Sequence, residues 1–148
     1  MSSAESLPFE ATIQVRDNCL CLHVQRAARA LARRFDDALR PYGLTNGQFS
    51  LLMSLNRPEP PSMGPVASLL AMDRTTLTAA LIPLERRGLV SSSPDPKDRR
   101  SRILILTDQG RELLANALPV WQSTHEEVEK TAPHLNFDKL RKDLRAIS

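Results

Sequence analysis

The chain has 148 residues, 41% of them hydrophobic and 25% charged, with a net charge of +3. That length suits one domain burying roughly two-thirds of its unfolded surface, and the composition excludes both a disordered acidic chain and a fibrous repeat. No apolar run approaches the ~18 residues of a membrane span, and the polar opening MSSAESLPFE lacks the pattern of a signal peptide.

Leu20, Val24, Ala27, Ala28, Leu31, Phe35 and Leu39 recur at three- and four-residue steps, with Arg26, Arg29, Arg33, Arg34 and Asp37 at other positions around the turn. This spacing predicts an amphipathic helix of about six turns. Asp17 and Asn18 stand at its expected cap, and Pro41 and Gly43 end it. Thr45-Asn46-Gly47-Gln48 reads as a capping box, with Leu44 and Phe49 placed as a hydrophobic staple. A second helix should run from there to about Asn56, burying Phe49, Leu52 and Leu55. The segment Arg57-Pro58-Glu59-Pro60-Pro61 reads as a stiff loop.

Ser62 can cap a short third helix carrying Val66, Ala67, Leu69 and Leu70, with Pro65 in the first turn, where its missing amide costs little. Asp73 caps a fourth, with Leu77, Leu81 and Leu84 on one stripe and Gly88 as the stop. Two short helices joined tightly at Ala71-Met72 make a helix-turn-helix. Pro83 removes one amide from the fourth helix, and a kink is expected there.

After Gly88 the period changes. Residues 89–92 and 102–106 are short and β-prone, and they flank Pro94-Asp95-Pro96-Lys97-Asp98-Arg99-Arg100, a hairpin whose tip carries cations. Residues 73–107 hold seven basic against four acidic groups, a local excess that fits a polyanionic partner. Thr107-Asp108 starts a long helix through Leu113, Leu114, Leu118 and Trp121, with a bend expected at Pro119. Pro133 interrupts the pattern, and 137–144 form a closing helix. The apolar stripes of the helices at both ends exceed what one small domain covers, so intertwining with a second copy is expected.

Three segments carry a resemblance: Gly43-Leu44-Thr45 with Gln48-Phe49; Asp73-Arg74-Thr75-Thr76-Leu77-Thr78 leading to Leu84-Glu85-Arg86-Arg87-Gly88-Leu89-Val90; and Asp98-Arg99-Arg100 followed by Leu106-Thr107 and Gly110. In this order and spacing, over roughly residues 16–148, the chain resembles the MarR family of bacterial transcription regulators. The resemblance implies a mainly α fold with a small β-hairpin wing, a winged helix-turn-helix in an intertwined homodimer. A single domain over 1–148 would comprise dimerisation helices at about 16–40 and 108–148 and a DNA-binding lobe at about 45–107.

The implied function is sequence-specific binding of double-stranded DNA at a pseudo-palindromic operator, as a cytoplasmic repressor released by a signal. Arg74, Thr75, Thr76 and Thr78 occupy the end of a recognition helix that meets base edges. Arg99 and Arg100 suit a narrow, electronegative minor groove, and Asp98 is assigned to holding the wing rather than to DNA. Family members often carry a basic residue where Ala79 stands. The alternative is a winged-helix protein-interaction module without DNA affinity, which burial of Arg99, Arg100 and the 75–78 face would favour.

Two inputs are open. Cys21 falls in the first turn of the first long helix, where the dipole favours a thiolate. Together with Arg29, its place resembles that of the sensing cysteine in the family's organic-peroxide branch, although Gln25 and Phe35 stand where that branch has two thiol-bonding tyrosines. A packed cysteine is the other reading. The second input is a small phenolic or apolar ligand with His23, Phe35, Leu51 and Trp121 as candidate walls, each of which reads equally as core.

Cys19, Cys21 and His23 are spaced so that one helix cannot gather them on a metal, and the two thiols cannot pair within it. No metal or other cofactor is expected. No nucleophile motif, Gly-rich phosphate loop or supported carboxylate pair argues for an enzyme.

Overall fold

The computed structural model describes residues 6–148, in two compact units, the first ending at Arg34 and the second running from Phe35 to Ser148. The division falls within the second helix. In the first unit, α1 (Phe9–Asn18) precedes α2 (Leu20–Leu39). The sequence reading missed α1 because its apolar residues form no single stripe: Phe9 and Ile13 lie on one side, Ala11 and Val15 on the other, and none is buried.

That helix also corrects the expected cap. Asn18 is its last residue and donates from Nδ2 to the Gln14 carbonyl at 2.9 Å, while Asp17 pairs with Arg16. The residue before α2 is Cys19, whose Sγ accepts from the Leu22 amide at 3.5 Å. Cys21 does lie in the first turn.

The second unit begins with the end of α2 and a 3-10 turn, Arg40–Tyr42. Then come α3 (Asn46–Ser54), α4 (Met63–Leu69), α5 (Arg74–Arg86), β1 (Val90–Asp95), β2 (Asp98–Leu106), α6 (Asp108–Lys130) and α7 (Phe137–Ala146). The capping box at α3 is complete: Thr45 accepts from the Gln48 amide, and Gln48 Oε1 accepts from the Thr45 amide at 3.1 Å. Asp73 caps α5 as the spacing requires, and Ser62 occupies the cap of α4 without a side-chain bond.

The core draws on every element from α2 to α6, including Leu39, Phe49, Leu52, Val66, Leu77, Leu84, Leu104 and Leu106. Leu77, Leu81 and Leu84 are all buried, so one stripe of α5 anchors that helix and leaves its opposite side outside. Pro83 and Pro119 each lie inside a helix that continues past them.

The hairpin is longer than expected. β1 pairs antiparallel with β2 from Val90↔Leu106 to Asp95↔Asp98, with a register shift at Pro94/Asp95. Arg99 and Arg100 therefore sit on β2 itself rather than in a loop. The far edge of β2 is also used, because Leu104 N donates to the Pro61 carbonyl at 2.9 Å and Ser62 bridges Ile103. The proline-rich segment is thus a third edge pairing, invisible to a reading that scores prolines as loop.

Thr107 ties the wing to α6. Its hydroxyl donates to the Gly88 carbonyl at 2.7 Å and accepts from the Gly110 amide at 3.0 Å. Gly88 takes a left-handed φ of +72°, the conformation that ends α5 at little cost. At Gly110 a Cβ would collide with the Leu89 carbonyl oxygen and would lie 2.7 Å from Leu106 Cδ1. Only glycine lets α6 start that close to the hairpin's root.

Candidate nucleic-acid interface

Arg74, Thr75, Thr76 and Thr78 are all exposed, while Leu77 between them is fully buried. One apolar anchor fixes the helix and turns its first residues outward. Asp73 Oδ1 accepts from the Thr76 amide at 2.7 Å. That bond, with the Thr76 hydroxyl adding to it, holds the Asp73 carboxyl below its ordinary range. Thr78 Oγ1 donates to the Arg74 carbonyl at 2.8 Å. Its proton is spent within the helix, which leaves a methyl and an acceptor lone pair to face outward.

On the wing, Arg99 and Arg100 are both exposed, beside the register shift at Pro94/Asp95 where β2 residues 99–101 have no ladder partner. Asp98 Oδ1 accepts from the Arg100 backbone amide at 3.0 Å, and Asp95 Oδ1 accepts from the Lys97 amide at 2.9 Å. Asp98 thus meets Arg100 through the main chain, and no guanidinium pairs with it. Arg102, which the sequence reading did not single out, donates from Nε to Ser92 Oγ at 2.9 Å. A turn-centred reading of 94–100 passes over it, because its partner Ser92 lies across the hairpin.

The charge pattern is asymmetric. Every ion pair among the described residues lies outside 73–107. The seven cations of that segment have no carboxylate within ion-pair distance, whereas six of the thirteen Lys and Arg outside it (Arg16, Arg40, Arg111, Lys130, Lys139 and Arg141) do.

A second feature is an aromatic trough. Phe49 stacks on Trp121 with centroids 6.0 Å apart, and Trp121 meets His125 at 5.2 Å and Phe35 at 6.4 Å. One cavity of about 320 Å³ is lined by Phe49, Met53, Leu69, Leu118 and Trp121 among others. Another of about 210 Å³ lies against Phe35, Asn46, Ser50 and His125 and shares Phe49 and Trp121. Asn46 is held by Asp36, whose Oδ1 accepts from its amide at 2.7 Å and its Nδ2 at 2.9 Å. Those two bonds hold the Asp36 carboxyl below its ordinary range.

Of the four expected walls, Phe35 and Trp121 line the trough. Leu51 is 1% exposed and belongs to the core. His23 lies in the other unit, with Nδ1 2.7 Å from the Cys19 carbonyl. Phe49, Met53, Asn46 and His125 were missed, because helical spacing cannot distinguish a cavity wall from a core face.

Both cysteines are free, and Cys21 is exposed with Gln25 Nε2 donating to its sulfur at 3.3 Å. No cluster of three or more His, Cys, Asp or Glu able to hold a metal occurs among the described residues. No helix among them is long and apolar enough to cross a membrane.

A family profile described as MarR family matches residues 44–101. The chain is 35% identical to the Mycobacterium tuberculosis transcriptional regulator MosR in its crystal structure with DNA, covering 88% of this chain and 93% of that one at a TM-score of 0.79. The chain belongs to the MarR family. It is accordingly a winged-helix DNA-binding transcriptional regulator and not an enzyme.

The repressor CouR bound to a 23-mer DNA duplex is 31% identical, covering 90% and 92% at a TM-score of 0.71. CouR from Rhodococcus jostii RHA1 bound to p-coumaroyl-CoA is 25% identical at 0.75, covering 88% and 92%. The transcriptional activatory protein BadR of Rhodopseudomonas palustris is 35% identical over 97 residues, 64% of this chain and 55% of that one. The match thus spans about half of that relative's length.

Proposed function

We propose that this MarR-family chain works as a cytoplasmic homodimeric repressor of a pseudo-palindromic operator. The 148 residues form one protomer, with helices at about 16–40 and 108–148 pairing the copies and 45–107 acting as the DNA-binding lobe. Each copy places the start of α5 in a major groove, where Arg74, Thr75 and Thr76 meet base edges and Thr78 offers its methyl to thymine. Arg99 and Arg100 reach the flanking minor groove, and Asp98 shapes the wing's turn from Arg100's backbone. Two such helices read half-sites about 34–36 Å apart.

The observation that carries this reading is the absence of ion pairs from 73–107 among the described residues. Those cations have no carboxylate partner to give up, so a polyanion meets no competing anion there. Their exposure also removes the condition that favoured a protein-interaction module. The test is selection of duplexes from a random-sequence pool by the purified chain. A two-fold related consensus is expected, and recovery of unselected sequence alone would refute the reading.

Release belongs to a flat phenolic or apolar ligand in the trough, with its ring against Trp121 and Phe49 and a polar end toward His125 and Asn46. The p-coumaroyl group in the CouR structure is of this class. Titration with simple phenolic acids should quench Trp121 fluorescence and lower DNA affinity together, and neither change would occur if the trough is only a packing defect. An oxidant is the second input, supported by the exposed Cys21 thiol. Cys21→Ser should abolish any release of DNA by organic peroxide, and a variant that still responds would exclude it.

A further inference from the structure

The sugar–phosphate backbone is what separates the major groove from the minor groove. A protein that seats a helix in one and a hairpin in the other must have a strand of phosphates passing between them. In this chain that space is a groove of about 320 Å³, with Thr78 and Ile82 of α5 on one wall and Ser92 and Arg102 of the wing on the other.

Arg102 is prepared for an anion there. Its Nε donates to Ser92 Oγ at 2.9 Å and Nη2 reaches the Ser92 carbonyl at 3.4 Å. A guanidinium has five N–H donors in a planar fork, so Ser92 fixes its orientation and leaves most of the fork unspent. Glu85 lines the same groove, yet no carboxylate among the described residues pairs with Arg102. Arg102 pairs across the hairpin with Pro94, just inside the register shift at Pro94/Asp95 that carries Arg99 and Arg100 at the wing's end.

We infer that Arg102, oriented by Ser92, is a phosphate-binding residue that grips the DNA backbone between α5 and the wing. This rests on the DNA reading above and adds a contact that carries no sequence information but sets the spacing of helix and wing on the duplex.

The experiment measures fluorescence anisotropy of the full chain and its variants over about 50–200 mM salt. Two duplexes are used, one selected by the wild-type protein from a random pool and one of scrambled sequence. Arg102→Gln should weaken both by a similar factor and lower the slope of log affinity against log salt by about one per protomer, about two per dimer. Its penalty should therefore shrink about tenfold across that salt range. Arg102→Lys should keep the slope while losing part of the affinity, since the charge remains without the fork. Ser92→Ala should weaken binding about threefold in the wild type and not at all on the Arg102→Gln background, the mark of one residue acting through another.

An Arg102→Gln slope equal to wild type, a loss confined to the selected duplex, or a Ser92→Ala loss independent of Arg102 would each overturn the inference while leaving the DNA reading intact. A wild-type protein that binds neither duplex would overturn both. Equal thermal midpoints for all variants would place the effect at the interface, and a lowered midpoint that accounts for the affinity loss would count against it.

Discussion

Thr107→Val is the sharpest test of how the DNA-binding lobe is held together, because valine keeps the shape and deletes the hydroxyl. Two bonds are lost: the cap bond from the Gly110 amide at 3.0 Å and the donation to the Gly88 carbonyl at 2.7 Å. A lost N-cap costs about 1 kcal/mol. The stranded carbonyl adds about 0.5–1 kcal/mol, the lower part of the usual range, since Gly88 is exposed and water can reach it. The sum is about 1.5–2 kcal/mol per protomer.

For a chain of this length that is a fall of roughly 3–8 °C in thermal midpoint. Urea unfolding followed by circular dichroism, at one fixed protein concentration, gives the free energy directly. Thr107→Ser restores both bonds and should recover most of the loss. DNA affinity should fall in Thr107→Val with an unchanged salt slope, since no cation is removed. A loss below about 0.5 kcal/mol, or an equal loss in Thr107→Ser, would show that the hydroxyl does not join the end of α5, the wing and α6.

Ala71 holds a left-handed φ of +52° in the turn between α4 and α5, a conformation that costs a residue with a Cβ about 1–2 kcal/mol. Ala71→Gly should raise stability by about 0.5 kcal/mol once glycine's extra unfolded-state freedom is subtracted; destabilisation on urea titration would contradict the geometry. Thr76→Ala should relax sequence preference more than total affinity, and a uniform loss across a panel of mutated operators would contradict base readout. The carboxyls of Asp36 and Asp73 are both held below their ordinary range, so the bonds they accept stabilise the fold above about pH 4 and are lost as the pH falls through their lowered values. Asp36→Asn should therefore flatten the acid limb of a stability–pH curve, and an unchanged limb would refute the assignment.

The parts of the fold legible in the sequence were those specified by local chemistry. Thr45 with Gln48, Asp73 with the 77/81/84 stripe, Gly88, and Thr107 each act within a few residues of themselves, and the structure has each cap or stop where spacing put it. What stayed hidden depends on distant partners. The pairing of Pro61 and Ser62 with β2 joins residues some forty apart, and proline composition argues against it locally. The trough forms where α3 meets α6, so Phe49 and Trp121 could be placed on helices but not facing one another. α1 escaped because its apolar residues are spread around the helix and leave no stripe to read. On the wing, residue types announced cations but not their directions. The strand reaches as far as Asp98, and the register shift at Pro94/Asp95, which no local signal announces, sets how Arg99 and Arg100 leave it.

The small net charge conceals the feature on which DNA binding turns. Outside 73–107 six of the thirteen Lys and Arg sit in pairs, such as Arg141 with Glu129 and Asp138, or Arg111 with Asp108. Exposed pairs of this kind add little stability, but they cancel the field those charges would otherwise project. Within 73–107 the carboxylates are engaged differently: Asp73, Asp95 and Asp98 accept from backbone amides and leave the arginines unpaired. The same acidic residues that shape the recognition helix and the wing therefore do so without neutralising the side chains that meet phosphate. Replacing Asp98 by asparagine keeps an acceptor for the Arg100 amide and removes one negative charge. Affinity for the scrambled duplex should rise in Asp98→Asn and the rise should fade with salt. A fall instead would mean that the carboxylate's charge, and not merely its bond, is needed to hold the wing in its binding shape.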